Sequence, residues 1–343
     1  MGLTKTENFS TEQNELAIIT EALGHPARIA TVDYLLKVDA CICGDIVNEL
    51  PLAQPTVSQH LKELKNAGII KGNIEGNAIC YCIDENTIIK RILDRTVPNH
   101  FIKTFDTYPI GLNQEKRDKE IVISLTSFPG RIADVWIVIE CLFRQTYKAD
   151  KIILWIDKER FNLEDLPSRL KDQMKRGLEI RLVEDLRSHT KYYYALKEYN
   201  NSFVITVDDD CYYPENLIEN LMKIHREYPN SIAANRIHKI QFKDNLILPY
   251  KKWSHNYSPK NRVNGPYLLT GVSGVLYPPN LFDAPFFDTA VFLEKCKFAD
   301  DMWLTMNAFR LNIPIASNAT FNKDLIAVSK TAQVRLLKGF YFY

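Results

Sequence analysis

The sequence predicts a mostly helical α+β winged helix-turn-helix unit, followed by an α/β unit with a Rossmann-like, mostly parallel sheet. Three observations predict it. The first hundred residues run helix, helix-turn-helix and β-hairpin in that order. From Ile121 onward, apolar strands alternate with helices, the grammar of a sheet covered on both faces. Between the two, Pro98 to Glu120 carries Pro109, Gly111 and the charged stretch Gln114–Glu120, which suits a connection better than a core element. At 343 residues the chain is long for one core. Domains are therefore expected at 1–97 and 120–343, with a linker at 98–119.

The elements follow in order. Leu16, Ile19, Leu23, Ile29, Val32, Leu35 and Leu36 recur at helical spacing, broken at Gly24-His25-Pro26. Two short helices are expected next, Gly44–Leu50 and Pro55–Ala67. The second has Pro in its first turn and Gly68 just past its end, a start-and-stop pair. Ile69–Ile74 and Ala78–Ile83 read as strands around Glu75-Gly76-Asn77. One more short helix, Asn86–Arg95, precedes the helix-breaking Pro98. In the second unit, strands are expected at Ile121–Phe128, Lys151–Asp157, Leu178–Glu184, Phe203–Val207 and Ser231–Ala234. Helices are expected at Val135–Gln145, Leu166–Arg176, Lys191–Tyr199 and Asn216–Tyr228.

Composition narrows the class. With 46% hydrophobic and 25% charged residues the chain is of ordinary globular type. It has no apolar run long enough to span a bilayer. Met1–Ser10 lacks a signal-peptide core, so a cytoplasmic location is expected. Seven cysteines form an odd, sparse set that fits reduced thiols better than a disulfide framework. The net charge of +1 is unevenly split: residues 1–100 hold 9 Lys and Arg against 13 Asp and Glu, the rest 34 against 29. A basic second unit suits a phosphorylated substrate. The acidic first unit counts against broad nonspecific nucleic-acid binding, without excluding a local reading helix.

The chemistry concentrates at Asp208-Asp209-Asp210, directly after the apolar strand Phe203–Val207. Three successive acids repel one another unless cations or hydrogen-bond donors compensate. Asp208 and Asp210, two apart, can face one side of extended backbone and hold Mg²⁺ or Mn²⁺ against a diphosphate. The alternative is an acidic cap for the helix that begins near Pro214. A second acidic pair, Asp300-Asp301, opens a later helix and offers a general base or, again, a cap. Lys191 is either a phosphate contact or a solvated lysine.

Residues 120–325 resemble family-2-type GT-A glycosyltransferases of bacterial surface-polysaccharide synthesis. The segments that carry the resemblance are Ile121–Arg131, Arg144-Gln-Thr-Tyr147, Lys151–Asp157, Lys191-Tyr-Tyr-Tyr-Ala-Leu196 and Val204–Asp210. The resemblance implies a metal-dependent, inverting transfer of a sugar from a nucleotide sugar to a glycan or other hydroxyl acceptor. It implies Thr126 and Asp157 near the nucleoside, Asp208 and Asp210 at metal and diphosphate, and Asp300 or Asp301 as base. The chain ends in Arg335–Tyr343, where such enzymes often continue with acceptor-side elements.

Residues 12–85 resemble ArsR-type winged-helix repressors through Leu23-Gly-His-Pro-Ala-Arg28, Cys41-Ile-Cys-Gly-Asp45, Leu52–Lys62 and Asn66–Lys71. The resemblance implies a homodimer on double-stranded DNA. Gln54, Thr56, Ser58, Gln59 and His60 would meet base edges and Lys62 a phosphate. Val57, Leu61 and Leu64 are core by spacing. Cys41 and Cys43 stand where some members bind As(III) or another soft metal, or are incidental thiols. Together the two resemblances imply a DNA-binding regulator fused to a glycosyltransferase. The alternatives are a regulator whose C-terminal part is a sugar-nucleotide sensor or inactive relic, and a join of two unrelated reading frames.

Overall fold

The computed structural model describes residues 9–38, 42–43, 53–75, 78–108, 111–257, 265–318 and 325–328. The chain divides into two compact units, Met1–His100 and Phe101–Tyr343.

In the first unit, α1 (Thr11–Leu23) opens with a capping box: Ser10 accepts from the Gln13 N–H, and the Gln13 side chain accepts from the Ser10 N–H. Helix α2 (Pro26–Val38) begins on a proline, whose missing N–H costs nothing there. Strand β1 (Ile42–Cys43), helix α3 (Gln54–Asn66) and strands β2 (Ile70–Glu75) and β3 (Ala78–Ile83) follow, with the strands ordered β1-β3-β2. Gly68 ends α3 at φ 68°, the left-handed geometry its sequence position suggests. Val57, Leu61 and Leu64 line the buried face of α3 and pack with Ala22, Leu35, Ile69 and Ile70. The expected helix Gly44–Leu50 and the hairpin tip Gly76-Asn77 lie outside the described residues.

Helix α4 (Glu85–Thr104) corrects the expectation of a short last helix: its 20 residues run through Pro98. Proline denies one backbone hydrogen bond and crowds one carbonyl, at a cost of about 3 kcal/mol, which packing on either side can offset. From Phe101 the chain belongs to the second unit, where the Phe101 and Tyr108 rings lie 4.6 and 4.1 Å from the Arg144 guanidinium.

The second unit is built on a seven-stranded sheet ordered β14-β8-β13-β7-β4-β5-β6. Strands β4 (Ile121–Thr126), β5 (Lys151–Asp157), β6 (Leu178–Val183) and β7 (Phe203–Thr206) are mutually parallel. They alternate with α5 (Val135–Phe143), α6 (Ser168–Lys175), α7 (Thr190–Glu198) and α8 (Leu217–Glu227). Strand β13 (Val275–Tyr277) enters antiparallel between β7 and β8 (Ile232–Ala234), and β14 (Ile315–Ala316) closes the edge parallel to β8. A ribbon of β9 (Ile237–Lys239) and β12 (Tyr267–Leu269) carries the hairpin β10 (Phe242–Lys243) and β11 (Leu246–Ile247). Helices α9 (Thr289–Lys295) and α10 (Asp300–Arg310) follow. The core is apolar and aromatic, with Trp155, Tyr192, Tyr277, Phe286 and Phe292 fully buried.

Candidate active site

Strand order places the site. The chain builds β4, β5 and β6 outward in one direction, then crosses to lay β7 on the other side of β4. Such a reversal opens a crevice beyond the carboxyl ends of the two strands. Asp208-Asp209-Asp210 follows β7 there, and Thr126 and Asp157 end β4 and β5. A small, open cleft is lined by Thr126, Ser127, Phe128, Asp157, Asp185 and Thr190. Its polar walls are held in place: Thr126 Oγ1 donates to the Trp155 carbonyl at 2.9 Å, and Asp157 pairs with Arg160 at 3.1 Å. A larger cleft lies at Tyr199, Asn200, Ser202 and Phe282, beside the start of β7 and so at the end opposite to these acids.

Each acid of the triplet has a different partner. Asp208 meets Lys191 Nζ at 2.6 Å. Asp209 is buried, accepting from Ser127 Oγ at 2.6 Å and pairing with Arg131 at 2.7 Å. Arg131 also reaches Asp210 at 2.9 Å. The Asp208 N–H donates to Tyr213 Oη at 2.8 Å, and that hydroxyl donates to the Val272 carbonyl at 2.9 Å. The turn after β7 is thereby tied to the turn Gly271–Ser273. Further on, the Val328 N–H donates to the Asp210 carbonyl and the Tyr212 N–H to the Ile326 carbonyl.

The second acidic pair joins the same cluster. Lys191, 5% exposed, bridges to Asp300 at 2.8 Å while holding Asp208. Asp301 Oδ1 accepts from the Gly271 N–H at 3.0 Å. The first turn of α7 is fixed beneath them: Ser124 Oγ donates to the Lys191 carbonyl, and Trp155 Nε1 donates to Ser124 Oγ. His189 spans Tyr192 Oη and the Cys296 carbonyl, each at 2.8 Å, joining the start of α7 to the loop before α10.

Burial and charge set the protonation states. Burial lowers the Lys191 ammonium, but Asp208, Asp300 and Asp301 outweigh it and hold the group well above its usual range. Burial, then Asp300, pushes the Asp301 carboxyl up to about 8. Burial raises Asp209 to about 6 against the pull of Arg131 and Ser127. His189 is lowered by burial, which favours the neutral ring.

The alternatives left open by sequence can now be weighed. Helix α8 starts at Leu217 with Asn216 as its cap, so the triplet caps nothing. Lys191 is buried in an ion-pair cluster and is no solvated lysine. Asp300 and Asp301 do occupy the first turn of α10, yet both also turn into the cluster. Spacing alone missed Ser127, Tyr213 and the part played by Arg131. Ser127 and Arg131 stand in the segment after β4 that carries the family resemblance, a signal that could have found them.

A divalent cation fits the donor set. Among the described residues no three His, Cys, Asp or Glu side chains form a ready cage. Five carboxylates nevertheless share this region with two cations, Lys191 and Arg131. Asp208 and Asp210 keep 30% and 22% of their side-chain surface exposed. Hard oxygen donors in that number suit Mg²⁺ or Mn²⁺, which complete their shells with phosphate and water.

In the first unit, Gln54, Thr56, Ser58, Gln59 and Lys62 line the exposed face of α3 and His60 is partly buried. Gln59 Nε2 donates to Glu63 at 2.7 Å, and the His60 and His25 rings approach to 4.3 Å. Burial, then His25 and Arg28, lowers the His60 imidazole. Cys41 lies outside the described residues. Cys43 stands opposite Cys80 in the β1–β3 register. Cys80 is disulfide-bonded, a departure from the expected reduced set.

Comparison with known proteins matches both units. Residues 25–71 fit the model of the bacterial regulatory protein arsR family, and residues 130–276 that of glycosyl transferase family 2. The HTH-type transcriptional repressor SmtB of Mycobacterium tuberculosis (strain CDC 1551 / Oshkosh) is 37% identical over 76 residues, 22% of this chain and 56% of that protein. The chain thus spans little more than half the length of that relative. The uncharacterized HTH-type transcriptional regulator MJ1325 of Methanocaldococcus jannaschii is 38% identical over 73 residues, 21% of this chain and 81% of that protein. The solved structure of 4-diphosphocytidyl-2C-methyl-D-erythritol synthase has a TM-score of 0.40 at 8% identity, covering 64% of this chain and 97% of its own. Through its N-terminal unit the chain belongs to the arsR family of bacterial regulatory proteins, and in the same polypeptide residues 130–276 match the glycosyl transferase family 2 model.

Proposed function

We propose that the second unit transfers a sugar from a nucleotide sugar to a hydroxyl acceptor, and that the first unit reads double-stranded DNA in the cytoplasm. The observation that carries the transferase assignment is the carboxylate cluster around Lys191 at the end of β7. Thr126 and Asp157 border the cleft for the nucleoside, and Asp208 and Asp210 would hold the cation. That cation, when bound, neutralises the departing nucleoside diphosphate.

Asp301 is the better general base of the acidic pair. Asp300 is buried and engaged by Lys191, whereas Asp301 keeps part of its surface accessible and has a carboxyl raised to about 8. A base with a value near the working pH is well matched to proton transfer. Asp301 would take the acceptor hydroxyl proton as that oxygen bonds to the anomeric carbon. The bond from that carbon to the diphosphate oxygen breaks on the opposite face, inverting the centre. The test is nucleoside diphosphate release from a panel of nucleotide sugars with Mn²⁺. Release that is lost in Asp210→Ala supports the assignment; release undiminished in that variant sinks it.

For the first unit, support comes from the polar exposed face of α3 over its buried Val57, Leu61 and Leu64. A dimer would place two reading helices about 34–36 Å apart, one turn of DNA. Footprinting on the chain's own upstream DNA, with Gln59→Ala as control, tests it; an absent footprint counts against sequence-specific reading.

A further inference from the structure

We propose that the β10–β11 hairpin of the second unit docks on a membrane surface bearing anionic lipid headgroups. Phe242, Leu246, Ile247 and Tyr250 are 50%, 72%, 56% and 40% exposed. Four large apolar side chains fall within nine residues, with Phe242 and Ile247 on one face of the hairpin and Leu246 on the other, so the tip is apolar on both sides. Phe242 and Ile247 stand opposite each other in register, and Leu246 follows the Asp244-Asn245 turn, whose two residues have φ 50° and 63°. That two-residue geometry makes a tight, well-defined tip.

The base under the tip is built with care. The Leu248 N–H donates to the Gln241 carbonyl at 2.8 Å, and Trp253 Nε1 donates to the Leu248 carbonyl at 2.7 Å. Ile240, Trp253 and Leu268 pack against Met302, Met306 and Phe309 of α10. A hairpin so anchored presents its apolar tip instead of folding it away.

Charge identifies the occupant. Between Arg236 and Tyr257, Arg236, Lys239, Lys243, Lys251 and Lys252 face a single acid, Asp244. Exposed apolar side chains with exposed Lys243, Lys251 and Lys252 in the same segment match the boundary between acyl chains and anionic headgroups. The most exposed side chains, Leu246 and Ile247, are aliphatic and suit acyl chains better than bases, which stack on rings. The hairpin leaves the Lys239–Tyr267 end of the β9–β12 ribbon, and the other end leads into Gly271 at the acidic cluster. A second unit docked in this way would meet acceptors held in the membrane, so under the transferase assignment, on which this step rests, the acceptor hydroxyl is carried by an amphiphile.

The experiment is co-sedimentation of the full chain with vesicles of equal phosphatidylglycerol and phosphatidylcholine, without donor or metal, so its outcome is independent of transferase activity. Binding is expected, weakened by added salt and reduced roughly tenfold in Leu246→Ser/Ile247→Ser, with circular dichroism confirming the fold. Lys243→Glu/Lys251→Glu should weaken binding to these vesicles while leaving that to pure phosphatidylcholine unchanged. No binding to anionic vesicles, or binding undiminished in the apolar double variant, overturns the proposal. So does a double variant that merely converts a larger oligomer to a smaller one, which would make the patch an interface between copies.

Discussion

A Cβ built on Gly271 would stand 2.9 Å from Asp301 Oδ1 and 3.1 Å from Lys191 Nζ. Glycine is needed there for close approach, because the same backbone N–H donates to Asp301. Gly271→Ala should cut donor turnover at least roughly tenfold while costing about 1–3 kcal/mol of stability; paired kinetics and denaturant melts check both. Asp301 sets the pH response. With its carboxyl at about 8, turnover should climb as pH rises through about 8, and Asp301→Asn should abolish that limb. Its contribution to stability has the opposite slope. A folded value above the unfolded 3.8 stabilises most fully below 3.8 and is lost as pH rises through about 8. From about pH 5 to about pH 9, the Tm of Asp301→Asn should therefore fall less than that of the parent. Asp208, Asp210, Lys191 and the Asp300-Asp301 pair were legible because each sits at an element boundary of the expected kind. Ser127 and Asp209 were not paired in advance: they lie on different loops, and only the parallel β4–β7 contact brings them together.

At the scale of elements, α3 was readable from end to end, since Pro55, Gly68 and three apolar positions each constrain it. Leu64→Ala, at a fully buried position in that helix, should cost about 2–5 kcal/mol. Lys62→Ala should weaken DNA binding across all sequences and reduce the salt slope by about 1, while Gln59→Ala should relax discrimination by about 1–3 kcal/mol; titrations at several salt concentrations separate the two. The strands from β9 onward escaped notice for a physical reason. Runs of two or three residues, such as Ile315–Ala316, are too short to show alternation and take their strand geometry from neighbours. Helix α4 escaped for another: a proline penalty is local, and flanking turns can carry the helix through it.

For the whole molecule, the two units should respond separately to their ligands. Two thermal transitions are expected, and a nucleotide sugar with Mn²⁺ should raise one of them alone, by a mass-action stabilisation of about 2.7 kcal/mol at a hundredfold excess over Kd. The Asp210→Ala variant should lose that response. Differential scanning calorimetry of the full chain reads both outcomes, and a single transition shifted by both DNA and nucleotide sugar would instead reveal coupled units.

The pairing of Asp210 and Tyr212 with Val328 and Ile326 bears on synthesis. A chain emerging from the ribosome presents the acidic turn long before the segment that pins it has been made. The sheet strands beneath it can already pair, but the turn cannot take its final backbone bonds until the last of its partners is released. A nascent or prematurely stopped chain would thus carry all five acids in an unfinished pocket. Competence for chemistry would arrive late, in one step, once Val328 has been made.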